Sequence, residues 1–87
     1  MKRSQLREGT YFRLLSKPQK GDVFKVYKMR PGEELVATFI KHISPYVYWT
    51  EEIEGKEMAA FDIGYLERVA EEALEYNYRD NLKKILK

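Results

Sequence analysis

The sequence predicts an α+β fold, a small curved antiparallel sheet of about five strands with a C-terminal amphipathic helix. The first observation is a series of three apolar, aromatic-rich runs between Val23 and Thr50, separated by Pro31-Gly32 and Ser44-Pro45. Proline disfavours a helical residue before it and glycine accepts positive φ, so both dipeptides favour chain reversals. The second is a change of apolar spacing after Gly64, from two residues to three and four. These patterns indicate an antiparallel meander over residues 10–63 and a helix over most of 64–87.

Five strands follow one another in the predicted meander. Residues 1–9 are charged and form a tail or a short helical turn, which only Leu6 can anchor. Apolar runs then predict strands at 10–16, 23–29, 35–43, 46–50 and 57–63. The third run has apolar residues in both of its alternating rows, so we expect that strand to be central and covered on both faces. The curved sheet can stay open or close into an SH3-like or OB-like barrel.

The predicted helix carries an apolar stripe that has to be covered. Its apolar residues recur at steps of three and four up to Leu86. Four glutamates lie in its first half and four basic residues in its second, an order that complements the helix dipole. The side chains expected to dock on the sheet are Leu66, Val69, Ala73, Leu74 and Leu82. The sequence does not decide whether the helix starts at Gly64 or at Ala70, because residues 65–69 also suit the last strand of a sheet.

Length and composition limit the classes of protein to consider. At 87 residues the chain forms one domain with one modest core. It has no cysteine, so it forms no disulfide and suits a reducing compartment. No apolar run approaches the roughly 18 residues of a membrane span, and the first residues lack the apolar region of a signal peptide. We therefore expect a cytoplasmic protein with no membrane partner.

The net charge of +2 conceals two halves of opposite sign. Residues 1–45 hold ten Lys and Arg against four Asp and Glu, a balance of +6, and residues 46–87 hold six against ten, a balance of −4. A basic half can serve an acidic partner such as nucleic acid, but charge spread over several strands also serves solubility. Charge alone does not decide between these roles.

No catalytic or metal-binding constellation emerges from the sequence. The single histidine, His42, lies two residues from Ser44 at the end of a predicted strand, without a motif that supports a catalytic triad. The carboxylates cluster at turns, where solvated charge is expected, and the glycines form no phosphate-binding pattern. We therefore predict no enzyme, no cofactor and no metal site.

Tyrosines interleaved with lysines and arginines form the strongest candidate surface. In the predicted strands Tyr11 and Arg13 alternate with core positions, as do Lys25 and Tyr27, so these four side chains are expected on the solvent-facing side of the sheet. Tyr, Trp and Arg are enriched at protein-binding hot spots, and tyrosines beside cations also provide stacking platforms next to phosphate-pairing charges for nucleic acids. The candidate partner-binding residues are Tyr11, Arg13, Lys25, Tyr27, Lys28, Tyr46 and Tyr48.

These observations predict a non-enzymatic protein-binding module, a small standalone regulator or inhibitor of the kind that phages and other mobile elements encode. The alternative is a small β-barrel that binds nucleic acid through the basic N-terminal half, and a third possibility is a hydrolase or small-ligand binder without a visible motif. Under either binding hypothesis, Tyr48 is expected to matter more than His42 or Glu52, while Trp49 is expected to lie in the core.

Overall fold

The computed structural model describes residues 1–17, 19–41, 51–53 and 56–78. Within these ranges the chain forms a six-stranded antiparallel sheet with short helices, an α+β fold as predicted. The strands are β1 Tyr11–Leu14, β2 Val23–Met29, β3 Glu34–Lys41, β4 Glu51–Ile53, β5 Lys56–Asp62 and β6 Ala70–Glu72. Helix α1 spans Ile63–Val69, a 3-10 turn spans Arg3–Gln5, and residues 74–78 are helical.

The order of the strands is β4-β5-β3-β2-β1-β6, which differs from the predicted meander. Strands β1, β2 and β3 follow one another as predicted, but β3 pairs with β5, and β4 lies outside β5. The physical reason is that β5 buries Met58, Ala59 and Phe61, which occupy both of its faces. A short charged strand such as β4 suits the exposed edge better. The pairing of the described strands leaves β4 and β6 as two edges, so a closed barrel is not confirmed.

The core lies on one face of the sheet and is rich in phenylalanine. Phe24 is stacked on Phe12 at 5.5 Å between ring centroids and contacts Phe61 edge-on at 4.9 Å. Leu6 is buried against this cluster, as predicted for the anchor of the N-terminal segment. In β3 the successive residues Leu35, Val36 and Ala37 are all fully buried, which confirms that this strand is covered on both faces.

The helix predicted over most of residues 64–87 is shorter in the described residues, because strand β6 interrupts it. Helix α1 begins at Ile63, where the carboxylate of Asp62 accepts a hydrogen bond of 2.9 Å from the backbone N–H of Tyr65. Aspartate is a preferred N-cap, so this start had a local signal that the glycine-centred prediction overlooked. The chain becomes extended at Ala70, and β6 pairs with β1, whose backbone groups would otherwise stay unpaired along that edge.

The apolar stripe of the predicted helix is only partly docked. Leu66 and Ala73 are fully buried, and Val69 packs against the core. Leu74 is 65% exposed, so its predicted place in the core is wrong. The interruption by β6 resets the helical phase, and the second helix places Leu74 on a different side from Ala73. Leu82 lies outside the described residues.

Among the described residues, no helix is long and apolar enough to cross a membrane.

Candidate functional site

Three strands place a tyrosine, a lysine and a threonine in one row across the sheet. Tyr11 of β1 is registered with Lys25 of β2, and Lys25 is registered with Thr38 of β3. Registered residues of antiparallel strands point to the same face with their Cβ atoms about 5 Å apart. The ammonium nitrogen of Lys25 accordingly lies 5.1 Å from the centroid of the Tyr11 ring, within reach of a cation–π interaction.

Two β-bulges flank this row. Val23 is registered with Lys41 and Phe24 with Phe39, which leaves Ile40 as an extra residue in β3. The second shift in register leaves Tyr27 as the extra residue in β2, between Val26 and Lys28.

The side chains at the two bulge positions are exposed. A bulged residue leaves the regular ladder, bends its strand and changes the direction of its side chain. Tyr27 is 42% exposed and Ile40 is 40% exposed, although both belong to strands whose central residues are buried. The apolar row that includes Val36 in β3 therefore does not stay buried as far as Ile40.

The row and the two bulges enclose an open groove, here called the bulge groove. Its volume is about 720 Å³, and it is lined by Gly9, Tyr11, Lys25, Val26, Tyr27, Thr38, Phe39, Ile40 and Glu57. Aromatic and aliphatic groups form much of this lining, and one lysine, one threonine and one glutamate supply polar atoms. A cleft with this lining suits an apolar side chain with polar groups next to it.

Tyr11 is held in place by the segment that follows β6. Its backbone N–H donates to Oδ1 of Asn77 at 2.9 Å, and its carbonyl accepts from Nδ2 of Asn77 at 3.2 Å and from the backbone N–H of Ala73 at 3.1 Å. Its ring is stacked on Tyr76 at 5.4 Å between centroids. One wall of the bulge groove is therefore fixed by both backbone and ring contacts.

The structure brings together three of the predicted site residues. Tyr11, Lys25 and Tyr27 all line the bulge groove, and Lys28 is exposed directly after Tyr27. Arg13 does not line the groove. Tyr46 and Tyr48 lie outside the described residues, as do His42 and Trp49. Sequence reasoning missed Thr38 and Ile40 as lining residues, because cross-strand register and bulges leave no local signal in this sequence.

The basic and acidic halves of the sequence neutralise each other where they meet in the fold. Three arginines of the basic half are paired with glutamates, most of them from the acidic half. The pairs are Arg3 with Glu33 and Glu67, Arg13 with Glu71 and Glu75, and Arg30 with Glu34. The excess of +6 counted over residues 1–45 is therefore not an uninterrupted positive surface.

The Arg3 pairs also shift the protonation equilibria of their members. Hydrogen bonds from the Arg3 guanidinium lower the pKa of Glu33 below its ordinary value. Hydrogen bonds to Glu33 first, and to Glu67 second, raise the pKa of Arg3. These pairs join the N-terminal turn to the β2–β3 connection and to α1, at some distance in sequence from the bulge groove.

No group of three or more His, Cys, Asp or Glu side chains with metal-binding geometry occurs in the part of the chain that the structure describes. Comparison of the chain with protein-family models, with curated proteins and with solved structures finds no match. The bulge groove is therefore interpreted from its own geometry.

Proposed function

We propose that the protein is a non-enzymatic binding module, a small cytoplasmic regulator or inhibitor that acts by occupying a partner protein. The ligand of the bulge groove is an extended segment of that partner carrying an aromatic or aliphatic side chain. The observation that supports this proposal most directly is the exposure of Tyr27 and Ile40, at the two bulge positions, in one groove. Exposed apolar side chains in a groove lose water when a complementary side chain binds, and this loss favours association.

The charges beside the groove favour acidic residues next to that apolar side chain. Each bulge residue is followed in sequence by an exposed lysine, Lys28 after Tyr27 and Lys41 after Ile40. Exposed charges at the rim of an interface steer the partner and select against like charge, while the apolar centre supplies most of the affinity. The proposed partner segment therefore combines an apolar anchor with flanking Asp or Glu.

Nucleic acid is the less supported ligand. Lys25 lies beside the Tyr11 ring, an arrangement that resembles a stacking platform with a cation. Nucleic-acid binding is therefore tested as the alternative. Against it, Arg3, Arg13 and Arg30 are engaged with carboxylates, so a phosphate backbone would have to compete with existing ion pairs.

The proposal is tested by selecting peptides from a random display library on the immobilised protein, with nuclease present. We expect enrichment of segments with an aromatic or aliphatic residue flanked by acids, and loss of binding to Tyr27→Ser and Ile40→Ser variants by about tenfold or more. Met29→Ser is the matched control, because Met29 is an exposed apolar residue of β2 that does not line the groove.

Two results would contradict the proposal. The first is the absence of any enriched peptide, and the second is enrichment that survives both groove substitutions. A parallel pull-down from lysate with and without nuclease separates the two ligand classes, because binding that disappears with nuclease supports the nucleic-acid alternative.

A further inference from the structure

Strand β2 extends beyond the segment that pairs with it on the β1 side. The N–H of Val26 donates to the carbonyl of Thr10, and the carbonyl of Val26 accepts from the N–H of Gly9, both at 2.8 Å. Gly9 has a φ of +89°, and the chain before it turns away from β2, with Thr10 donating to the carbonyl of Arg7. Among the described residues, the bonds at Val26 are the last ones on this side of β2.

The last three residues of β2 therefore form a sheet edge, here called the β2 edge, which consists of Tyr27, Lys28 and Met29. On its other side β3 continues to pair, and the N–H of Arg30 donates to the carbonyl of Glu34 at 3.0 Å. Backbone groups of successive strand residues point to opposite sides, so the N–H and C=O of Met29 point away from β3. All three residues of the edge are exposed, Met29 by 39%. Such an edge is a template for pairing with another strand.

The β2 edge is continuous with the bulge groove. Gly9 and Tyr27 both line the groove, and they lie where the chain of β1 leaves the side of β2. A strand added beyond this point would extend the sheet in line with β1, and every second side chain of it would face the side of the sheet that carries the groove. In strand addition, backbone pairing supplies affinity and pockets for alternate side chains supply specificity.

The charge on the β2 edge selects the occupant. Lys28 is registered with Val36, two residues before Thr38 of the groove, so its side chain lies on the same face of the sheet as the groove. Antiparallel pairing with a second copy along this edge would place a cation, Lys28 or Arg30, opposite Lys28. Like charges directly opposite each other destabilise a sheet, whereas opposite charges stabilise it. A strand with an acidic residue opposite Lys28 is therefore favoured over a second copy.

We propose that the β2 edge binds an extended segment of the partner protein as an added strand, paired with the N–H and C=O of Met29. An aromatic or aliphatic side chain of this segment enters the bulge groove beside Tyr27, and an acidic residue two positions away lies opposite Lys28. The inference rests on the proposed function and adds to it the mode of binding and the spacing between the apolar and the acidic residue.

The test uses the peptides enriched in the display screen, with Kd measured by fluorescence anisotropy on the full chain. Met29→Pro removes the outward N–H, and proline suits such a position because its missing N–H faces away from the sheet. Met29→Ser keeps both backbone groups and measures the contribution of the side chain. We expect Met29→Pro to raise Kd about tenfold above the value for Met29→Ser. Circular dichroism verifies that the sheet of each variant is intact.

Hydrogen exchange on the wild-type chain provides a second measurement that needs no variant. The Met29 amide should exchange about tenfold or more slowly when the peptide is bound. The Arg30 amide is the internal control, because it donates to Glu34 and should be protected already in the free protein. N-methylation along the peptide should weaken binding at every second residue, because alternate N–H groups face β2.

The outcomes separate this inference from the proposed function. Suppose that a peptide depends on Tyr27 and Ile40. Equal binding to Met29→Pro and Met29→Ser, or unchanged exchange of the Met29 amide in the complex, would then overturn the added strand and leave the groove proposal intact. Failure to select any peptide that depends on Tyr27 and Ile40 would overturn both. Protection of the Met29 amide in the free chain would overturn the inference too, and protection that rises with protein concentration would identify a second copy as the occupant.

Discussion

Asn77 illustrates how one side chain can take the place of a strand residue. Strand β6 ends at Glu72, yet the carboxamide of Asn77 accepts from the N–H of Tyr11 and donates to its carbonyl. A carboxamide has the same donor and acceptor as a peptide group, so it continues the pairing along β1. The structure therefore assigns Asn77 a specific pairing role.

Replacing Asn77 should destabilise the fold. Asn77→Leu removes the acceptor of the Tyr11 N–H, and we expect a loss of about 1–3 kcal/mol in the free energy of unfolding measured with urea. Asn77→Asp keeps an acceptor but removes the donor and places a carboxylate beside Glu72. The cost of Asn77→Asp should therefore shrink as pH falls below about 4, where protonation of the new carboxyl group restores a donor. A pH-independent cost would contradict the pairing role.

Leu66 and Leu15 allow the effect of truncating a buried leucine to be compared with that of truncating an exposed one. Leu66 is fully buried in the core, so Leu66→Ala should cost about 2–5 kcal/mol of unfolding free energy through lost burial and a cavity. Leu15 is largely exposed, and Leu15→Ala should change stability by no more than about 0.5 kcal/mol. Equal effects of the two substitutions would show that α1 does not pack as described.

At the scale of elements, the C-terminal half of α1 is tied to the N-terminal segment of the chain. The N-terminal ammonium of Met1 donates to the carbonyls of Glu67 and Ala70, where the helix leaves its carbonyls unpaired. Arg3 bridges Glu67 of α1 to Glu33 of the β2–β3 connection. The 3-10 turn that carries Arg3 thus joins three elements through exposed ion pairs.

The Glu33 pair makes a pH-dependent contribution to stability. Because Arg3 lowers the pKa of Glu33 in the folded state, the contribution is present above the unfolded value of about 4.3 and is lost as pH falls through the lower folded value. The melting temperature of Glu33→Gln should therefore fall below that of the wild type near neutral pH and converge with it in acid.

A neighbouring acid provides the control for this prediction. Glu8 is exposed, and Glu8→Gln should leave the melting temperature nearly unchanged throughout the pH range. Because the Arg3 pairs are exposed, added salt should reduce the effect of Glu33→Gln. A difference between Glu33→Gln and wild type that grows as pH falls would show that the sign of the pKa shift is wrong.

At the scale of the whole molecule, the distribution of charge bears on the choice of ligand. The sequence shows a basic half and an acidic half, while the fold interleaves them through the arginine–glutamate pairs. A protein that binds nucleic acid mainly through phosphates needs several cations along one track. The described surface instead offers an apolar groove with lysines beside it, which is why we favour a protein ligand.

Salt dependence distinguishes these ligands. If the protein binds DNA or RNA, log K should fall with log [salt] by about 0.7–0.9 for each phosphate neutralised, and replacing Lys25 and Lys28 by Gln should flatten that slope. We expect instead no micromolar binding to single-stranded or duplex oligonucleotides at about 50 mM salt, where non-specific binding is favoured. Fluorescence anisotropy measures both quantities, and a steep slope that Lys25→Gln and Lys28→Gln reduce would support the nucleic-acid alternative.

The sequence by itself determined where most of the described strands lie and which of their residues are buried. Strand β2 spans Val23–Met29 as predicted, and Gly32 has the positive φ expected after Pro31. The burial of both faces of β3 and the anchoring role of Leu6 were also predictable. These features follow from local patterns, since side-chain alternation and turn chemistry depend on residues close together in sequence.

Only the tertiary structure decided which strands pair, where register shifts and where the C-terminal helix breaks. Strand β5 lies beside β3 and buries residues on both of its faces, and this pairing joins segments that are distant in sequence. Residues 70–72 become a strand because β1 offers unpaired backbone groups there, which outweighs the helical spacing of the sequence. The bulge groove likewise depends on the pairing of strands that are distant in sequence. Tyr11, Tyr27 and Ile40 meet there only because three strands pair in one register with two interruptions.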